Sequence, residues 1–74
     1  MDPSAPTAIA ITLNGEPREV PAGITVRGLF DLLGISPEGL LIERNKVVVH
    51  RGDFQTECLQ PGDQVEILRF IGGG

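Results

Sequence analysis

The sequence contains no tryptophan and no tyrosine, and only one cysteine, one histidine and one methionine among 74 residues. A lone cysteine, Cys58, cannot close an internal disulfide, and a chain this short without disulfides suits a reducing compartment better than secretion. His50 and Cys58 together fall short of the four nitrogen and sulfur ligands of a structural zinc site. No G-x-x-x-x-G-K-[ST] loop is present, which excludes nucleotide binding of the P-loop kind. No apolar run approaches the roughly 20 residues a membrane-spanning helix needs. Met1 to Thr7 hold neither the basic nor the apolar region of a secretory signal. Bases are scarce too: six Lys and Arg stand against ten acids, for a net charge of −4. They are scattered singly (Arg18, Arg27, Arg44, Lys46, Arg51, Arg69), whereas nucleic-acid binding needs clustered cations. The expectation is a soluble cytoplasmic protein with no membrane or nucleic-acid partner.

What is present reads as one small domain. A chain of this length buries only about 60% of the surface its unfolded form exposes, enough for a thin core but not for a roofed catalytic cleft. Residues 1–7, with two prolines, read as a flexible leader. From Ala8, the apolar Ile9, Ile11 and Leu13 alternate with Ala10 and Thr12, the period of a half-buried strand. Asn14-Gly15 is a two-residue hairpin signal, since both central positions of a type I′ turn need positive φ. Pro17 to Val20 returns as a second strand, broken by Pro21-Ala22-Gly23.

The spacing predicts one helix after Thr25, whose hydroxyl can cap its first turn. Val26, Leu29, Phe30 and Leu33 form a single apolar face, and Gly34 suits a left-handed C-terminal cap. Gly28 inside this helix costs on the order of 1 kcal/mol against alanine, so the helix needs a sheet to pack on. Leu40 to Arg44, the tight turn Asn45-Lys46 and Val47 to Val49 read as two further strands. Phe54 and Leu59 anchor an irregular stretch, and Pro61-Gly62 suits a type II turn. Gln64 to Ile71 is the last strand. One helix laid across a mixed sheet of four or five strands is an α+β fold of the β-grasp, ubiquitin-like kind. The domain spans 8–71 and a flexible glycyl tail spans 72–74.

Side-chain chemistry is thin. His50 reads as a strand-end surface residue, Cys58 as a small buried hydrophobe, and the carboxylates as a dispersed solvated surface. No enzyme, no bound cofactor and no metal site is expected. The tail differs. Gly72, Gly73 and Gly74 have no side chains and maximal backbone freedom, so they can thread a channel that admits only backbone. From Ile71 to Gly74 the reach is at most about 13–14 Å, delivering the Gly74 carboxylate into another protein's site. A carboxylate is a poor electrophile, so activation there requires a partner that binds ATP. If Val65 and Ile67 face the core, alternation puts Leu68 and Phe70 on the opposite face, with Leu41 beside them. These three residues are a candidate docking patch.

The ordered set Leu13-Asn14-Gly15, Gly23-x-Thr25-Val26, Glu43-Arg44-Asn45-Lys46-Val47-Val48 and Leu59-x-x-Gly62-Asp63-x-Val65-Glu66-Ile67, leading to Phe70-Ile71-Gly72-Gly73-Gly74, resembles the ThiS family of sulfur carriers of thiamine biosynthesis. The resemblance covers about residues 8 to 74. It implies adenylation of the Gly74 carboxylate by a ThiF-like adenylyltransferase. Sulfur would come from cysteine by way of a cysteine desulfurase or a rhodanese-type donor, giving a thiocarboxylate. A ThiG-like thiazole synthase would consume it. Carriers for molybdopterin, tRNA thiolation or cysteine synthesis, and ubiquitin-like protein modifiers, share the glycyl terminus and stay open as alternatives.

Overall fold

The structure is a computed structural model that describes residues 7–69. The leader over residues 1–6, Phe70, Ile71 and the three terminal glycines lie outside the described residues.

β1 (Ala8–Leu13) and β2 (Glu16–Pro21) form the expected antiparallel hairpin, in register from Leu13↔Glu16 to Ala8↔Pro21. Asn14 and Gly15 take φ of 50° and 83°, the two positive values that the type I′ turn demands. α1 (Val26–Leu33) starts where the hydroxyl of Thr25 accepts from the Gly28 N–H at 3.0 Å. The N–H groups of Val26 and Arg27 donate to the carbonyls of Glu57 and Phe54. All three N–H groups ahead of the first intrahelical bond, Leu29 N–H to Thr25 C=O, are therefore paired, two of them by the irregular stretch before β5. Gly34 closes the helix at φ 71°. Gly28 has a packing reason: a Cβ there would lie 2.9 Å from Cγ1 of Ile24, so alanine's helix propensity could not be gained without moving that side chain.

β3 (Leu40–Arg44), β4 (Val47–Val48) and β5 (Gln64–Arg69) complete a five-stranded sheet in the order β2-β1-β5-β3-β4. The central pair β1–β5 is parallel and every other pair is antiparallel. Parallel neighbours need a long crossover, and the segment between β1 and β5 contains α1. Val26, Leu29 and Phe30 are fully buried on one face of the sheet with Ile9, Ile11, Val20, Ile42 and Val65. Phe54 and Leu59 join them, Phe54 stacking obliquely on Phe30 at 5.5 Å between ring centres. This is the expected β-grasp fold.

Two details depart from expectation. β4 ends one residue early, with Val49 turning into the core. Cys58 is exposed rather than buried: it forms an isolated bridge with Thr25, and strand-like alternation gives the inward position to Leu59.

The β3–β4 turn places Asn45 and Lys46 at φ 52° and 68° without a glycine. A left-handed conformation costs a residue with a Cβ roughly 1–2 kcal/mol. Lys46→Gly is expected to raise stability by up to about 1 kcal/mol in urea unfolding, the gain being partly offset by glycine's larger unfolded entropy.

Candidate functional site

The site is the strand that carries the tail, and its sequence dictates how it is held. At its start, β5 sits between β1 (Thr12↔Gln64, Leu13↔Val65) and β3 (Arg44↔Val65). β1 then ends, and the Asn14 side chain extends the ladder, its Oδ1 accepting from the Ile67 N–H at 2.8 Å. Beyond that point β5 is paired by β3 alone, out to Arg69 opposite Leu40. Arg69 is the last residue of the strand among the described residues.

The other end of β5 is fixed by Asp63, a residue the sequence reading placed on a solvated surface. It is in fact 6% exposed. Its Oδ2 accepts from Arg44 Nε at 2.6 Å and from the Gln60 N–H at 2.8 Å, and its Oδ1 accepts from Asn45 Nδ2 at 3.0 Å. Asn45 in turn brackets Gln64, its Oδ1 accepting from the Gln64 N–H at 2.9 Å and its own N–H donating to the Gln64 carbonyl at 2.7 Å. Burial alone would push the Asp63 carboxyl upward. The Gln60 N–H, the Asn45 amide and the Arg44 guanidinium outweigh it and hold the carboxyl below its ordinary value. Hydrogen bonding to Asp63 likewise raises Arg44, which also reaches Glu57 at 3.5 Å. The β3–β4 turn, the turn before β5 and the first residue of β5 are thus locked as one unit.

Alternation along β5 sends Val65 and Ile67 toward the helix and Glu66 and Leu68 to the free face of the sheet. Val65 is buried, Ile67 half-buried and Leu68 46% exposed. Leu41 is the register partner of Leu68, so the structure sets these two candidate docking residues side by side on the helix-free face. The third, Phe70, the threading candidates Gly72 and Gly73 and the reactive-terminus candidate Gly74 lie outside the described residues. His50 is exposed at the start of a short 3-10 turn (Arg51–Asp53). Among the described residues, no three His, Cys, Asp or Glu side chains converge on a point that could hold a metal ion, and no helix is long and apolar enough to cross a membrane.

A β-grasp domain whose last described strand is followed in sequence by Phe70, Ile71 and three glycines narrows the field, and comparison with known proteins decides it. The ThiS family pattern matches residues 11–74. This chain belongs to the ThiS family. The crystal structure of the thiamine biosynthesis protein ThiS from Geobacter metallireducens aligns over 89% of this chain and 100% of that chain, with a TM-score of 0.81 and 33% identity. Among curated relatives, a thiazole synthase from Magnetococcus marinus is 52% identical over 64 residues and one from Paramagnetospirillum magneticum is 36% identical over 64 residues. Those alignments take in 86% of this ThiS-family chain and only 20% of either enzyme, so the chain spans about a fifth of the curated relatives it matches first. The match to the family pattern continues past Arg69 to Gly74.

Proposed function

We propose that this ThiS-family chain is a sulfur carrier whose working group is the carboxylate of Gly74, and that the sulfur it carries enters the thiazole ring of thiamine. The observation that carries the reading is the course of β5, a strand paired out to Arg69 and followed in sequence by Phe70, Ile71 and three side-chain-free residues, within a family match that reaches Gly74. The terminal carboxylate attacks the α-phosphorus of ATP in the site of a ThiF-like adenylyltransferase, and pyrophosphate leaves. The outer sulfur of a donor persulfide, built from cysteine by a desulfurase or a rhodanese-type donor, then expels AMP to give an acyl disulfide. A thiol attacks the donor-side sulfur of that bond, releasing the thiocarboxylate and leaving the donor sulfur in a disulfide with the thiol. Tethered in this way, sulfur stays nucleophilic without being lost as free sulfide. ATP is bound by the partner, and the chain acts in the cytoplasm as a co-substrate rather than as an enzyme. Leu41 and Leu68, with Phe70, dock the partners while the glycines enter their sites.

Service to a ThiG-like thiazole synthase is favoured over molybdopterin synthesis, tRNA thiolation, cysteine synthesis or protein modification by one finding. Relatives named thiazole synthase contain a stretch matching this sequence within their own, much longer chains. ATP–pyrophosphate exchange catalysed by the cognate adenylyltransferase should require this chain and saturate with its concentration. An adenylyltransferase competent with its other substrates that shows no carrier-dependent exchange contradicts the proposal.

A further inference from the structure

Strand register puts Glu43 directly opposite Glu66. Ile42 and Val65 face the core, so both glutamates project from the helix-free face, one rung from the Leu41–Leu68 pair. Like charges directly opposite across two strands are destabilising. No ion pair among the described residues offsets this pair: those present join Arg27 to Asp31 and Arg44 to Glu57 and Asp63. Alternation adds Glu19 to the same face and no Lys or Arg from any of the five strands. On the other side of Glu43 stands its register partner Val48, 41% exposed. Leu41 and Val48 also line a hollow of about 300 Å³ that opens toward the core side, with Leu40, Phe54, His50 and Arg51 on its wall.

An apolar pair, Leu68 exposed and Leu41 half-buried, beside an acidic pair with no ion-pair partner among the described residues defines the surface that would cover it. We propose that the free face of the sheet docks a protein surface that inserts an arginine between Glu43 and Glu66 and lays apolar side chains on Leu41, Leu68 and Val48. A guanidinium presents five donors in a planar fork and can bridge two carboxylates, which a single ammonium does less well. Bringing it in removes the glutamates' mutual repulsion, so the strain left in the free carrier becomes binding energy in the complex. The occupant is the adenylyltransferase, the partner common to every carrier and modifier reading of this family. The inference rests on the docking role proposed above for Leu41 and Leu68.

The test measures KM for the carrier in ATP–pyrophosphate exchange by the cognate adenylyltransferase, at low and high salt, together with each variant's melting temperature. The double variant E43Q/E66Q should melt at or above wild type, raise KM about tenfold with kcat unchanged, and lose most of the salt dependence of KM. L68E should raise KM at both salt concentrations. E16Q/E38Q, which makes the same change in net charge away from this face, should leave KM as it was. An unchanged KM for E43Q/E66Q alongside a raised KM for L68E overturns the arginine site and leaves the docking face standing. Unchanged KM values for both overturn the docking reading itself. An equal rise for E16Q/E38Q reduces the effect to general attraction and also overturns the proposal.

Discussion

Deleting Gly74 is expected to lower sulfur transfer by at least about a hundredfold and to leave the melting temperature unchanged. Each residue of an extended thread contributes at most about 3.3–3.6 Å, so losing one withdraws the carboxylate by up to that much from the α-phosphorus it attacks in the proposed adenylation. Misplacing a reacting group by only about 1 Å can cost on the order of a hundredfold in rate. The fold has no stake in the change, because the buried core runs from Ile9 to Val65. Sulfur incorporated into the thiazole product by the reconstituted partners, set against a thermal melt of the same variant, separates the two effects. Unimpaired transfer by the shortened chain is incompatible with a reactive terminus at Gly74.

Asp63→Asn is expected to have the opposite signature, a large loss of stability from a residue that never meets the cargo. The substitution removes the negative charge that Arg44 meets at 2.6 Å, and at least one of the three donors aimed at Asp63 must face an amide NH2. Breaking a buried charge-assisted network by removing one partner costs about 2–4 kcal/mol. For a domain of this size that lowers the melting temperature by roughly 10–25 °C. The pH dependence supplies an internal check. The folded-state carboxyl is held below its ordinary value of 3.8, so its contribution is complete above that pH and is lost as pH falls through the lower folded value. The stability gap between wild type and Asp63→Asn should therefore be full at neutral pH and close progressively in acid below about pH 4. A gap that stays constant down to acid pH shows that ionisation of Asp63 plays no part.

Much of the fold can be read from local pattern, because local pattern is what built it. Ile9, Ile11 and Leu13 alternate because β1 has one face on the core. Val26, Leu29, Phe30 and Leu33 recur at helical spacing because α1 has one stripe on it, and Asn14-Gly15 supplies the positive φ its turn needs. What escaped reading depends on partners distant in sequence. Asp63 looks like any surface carboxylate until Arg44 and Asn45, 19 and 18 residues away, are folded against it. Cys58 resembles a buried hydrophobe because its neighbour Leu59 is one, and only the bridge to Thr25 fixes which of the two faces inward. Gly28 reads as a weak point of the helix until the contact with Ile24 shows why a side chain is kept out.

The site divides along the same line. That Leu41 and Leu68 point away from the core follows from alternation alone. That they face each other, and that Glu43 faces Glu66, requires the β3–β5 register, which no single strand specifies. The glycines stand out in sequence because three in succession have no side chain to pack and the largest backbone freedom, which suits the threading role proposed for them.

The most direct test of the account is the intact mass of this chain after incubation with ATP, the cognate adenylyltransferase and a cysteine-derived sulfur donor. The predicted result is the gain that accompanies exchange of one oxygen for one sulfur, located in the C-terminal glycyl peptide and absent when ATP is withheld. A mass that does not change with demonstrably active partners, or a gain located elsewhere in the chain such as at Cys58, contradicts it.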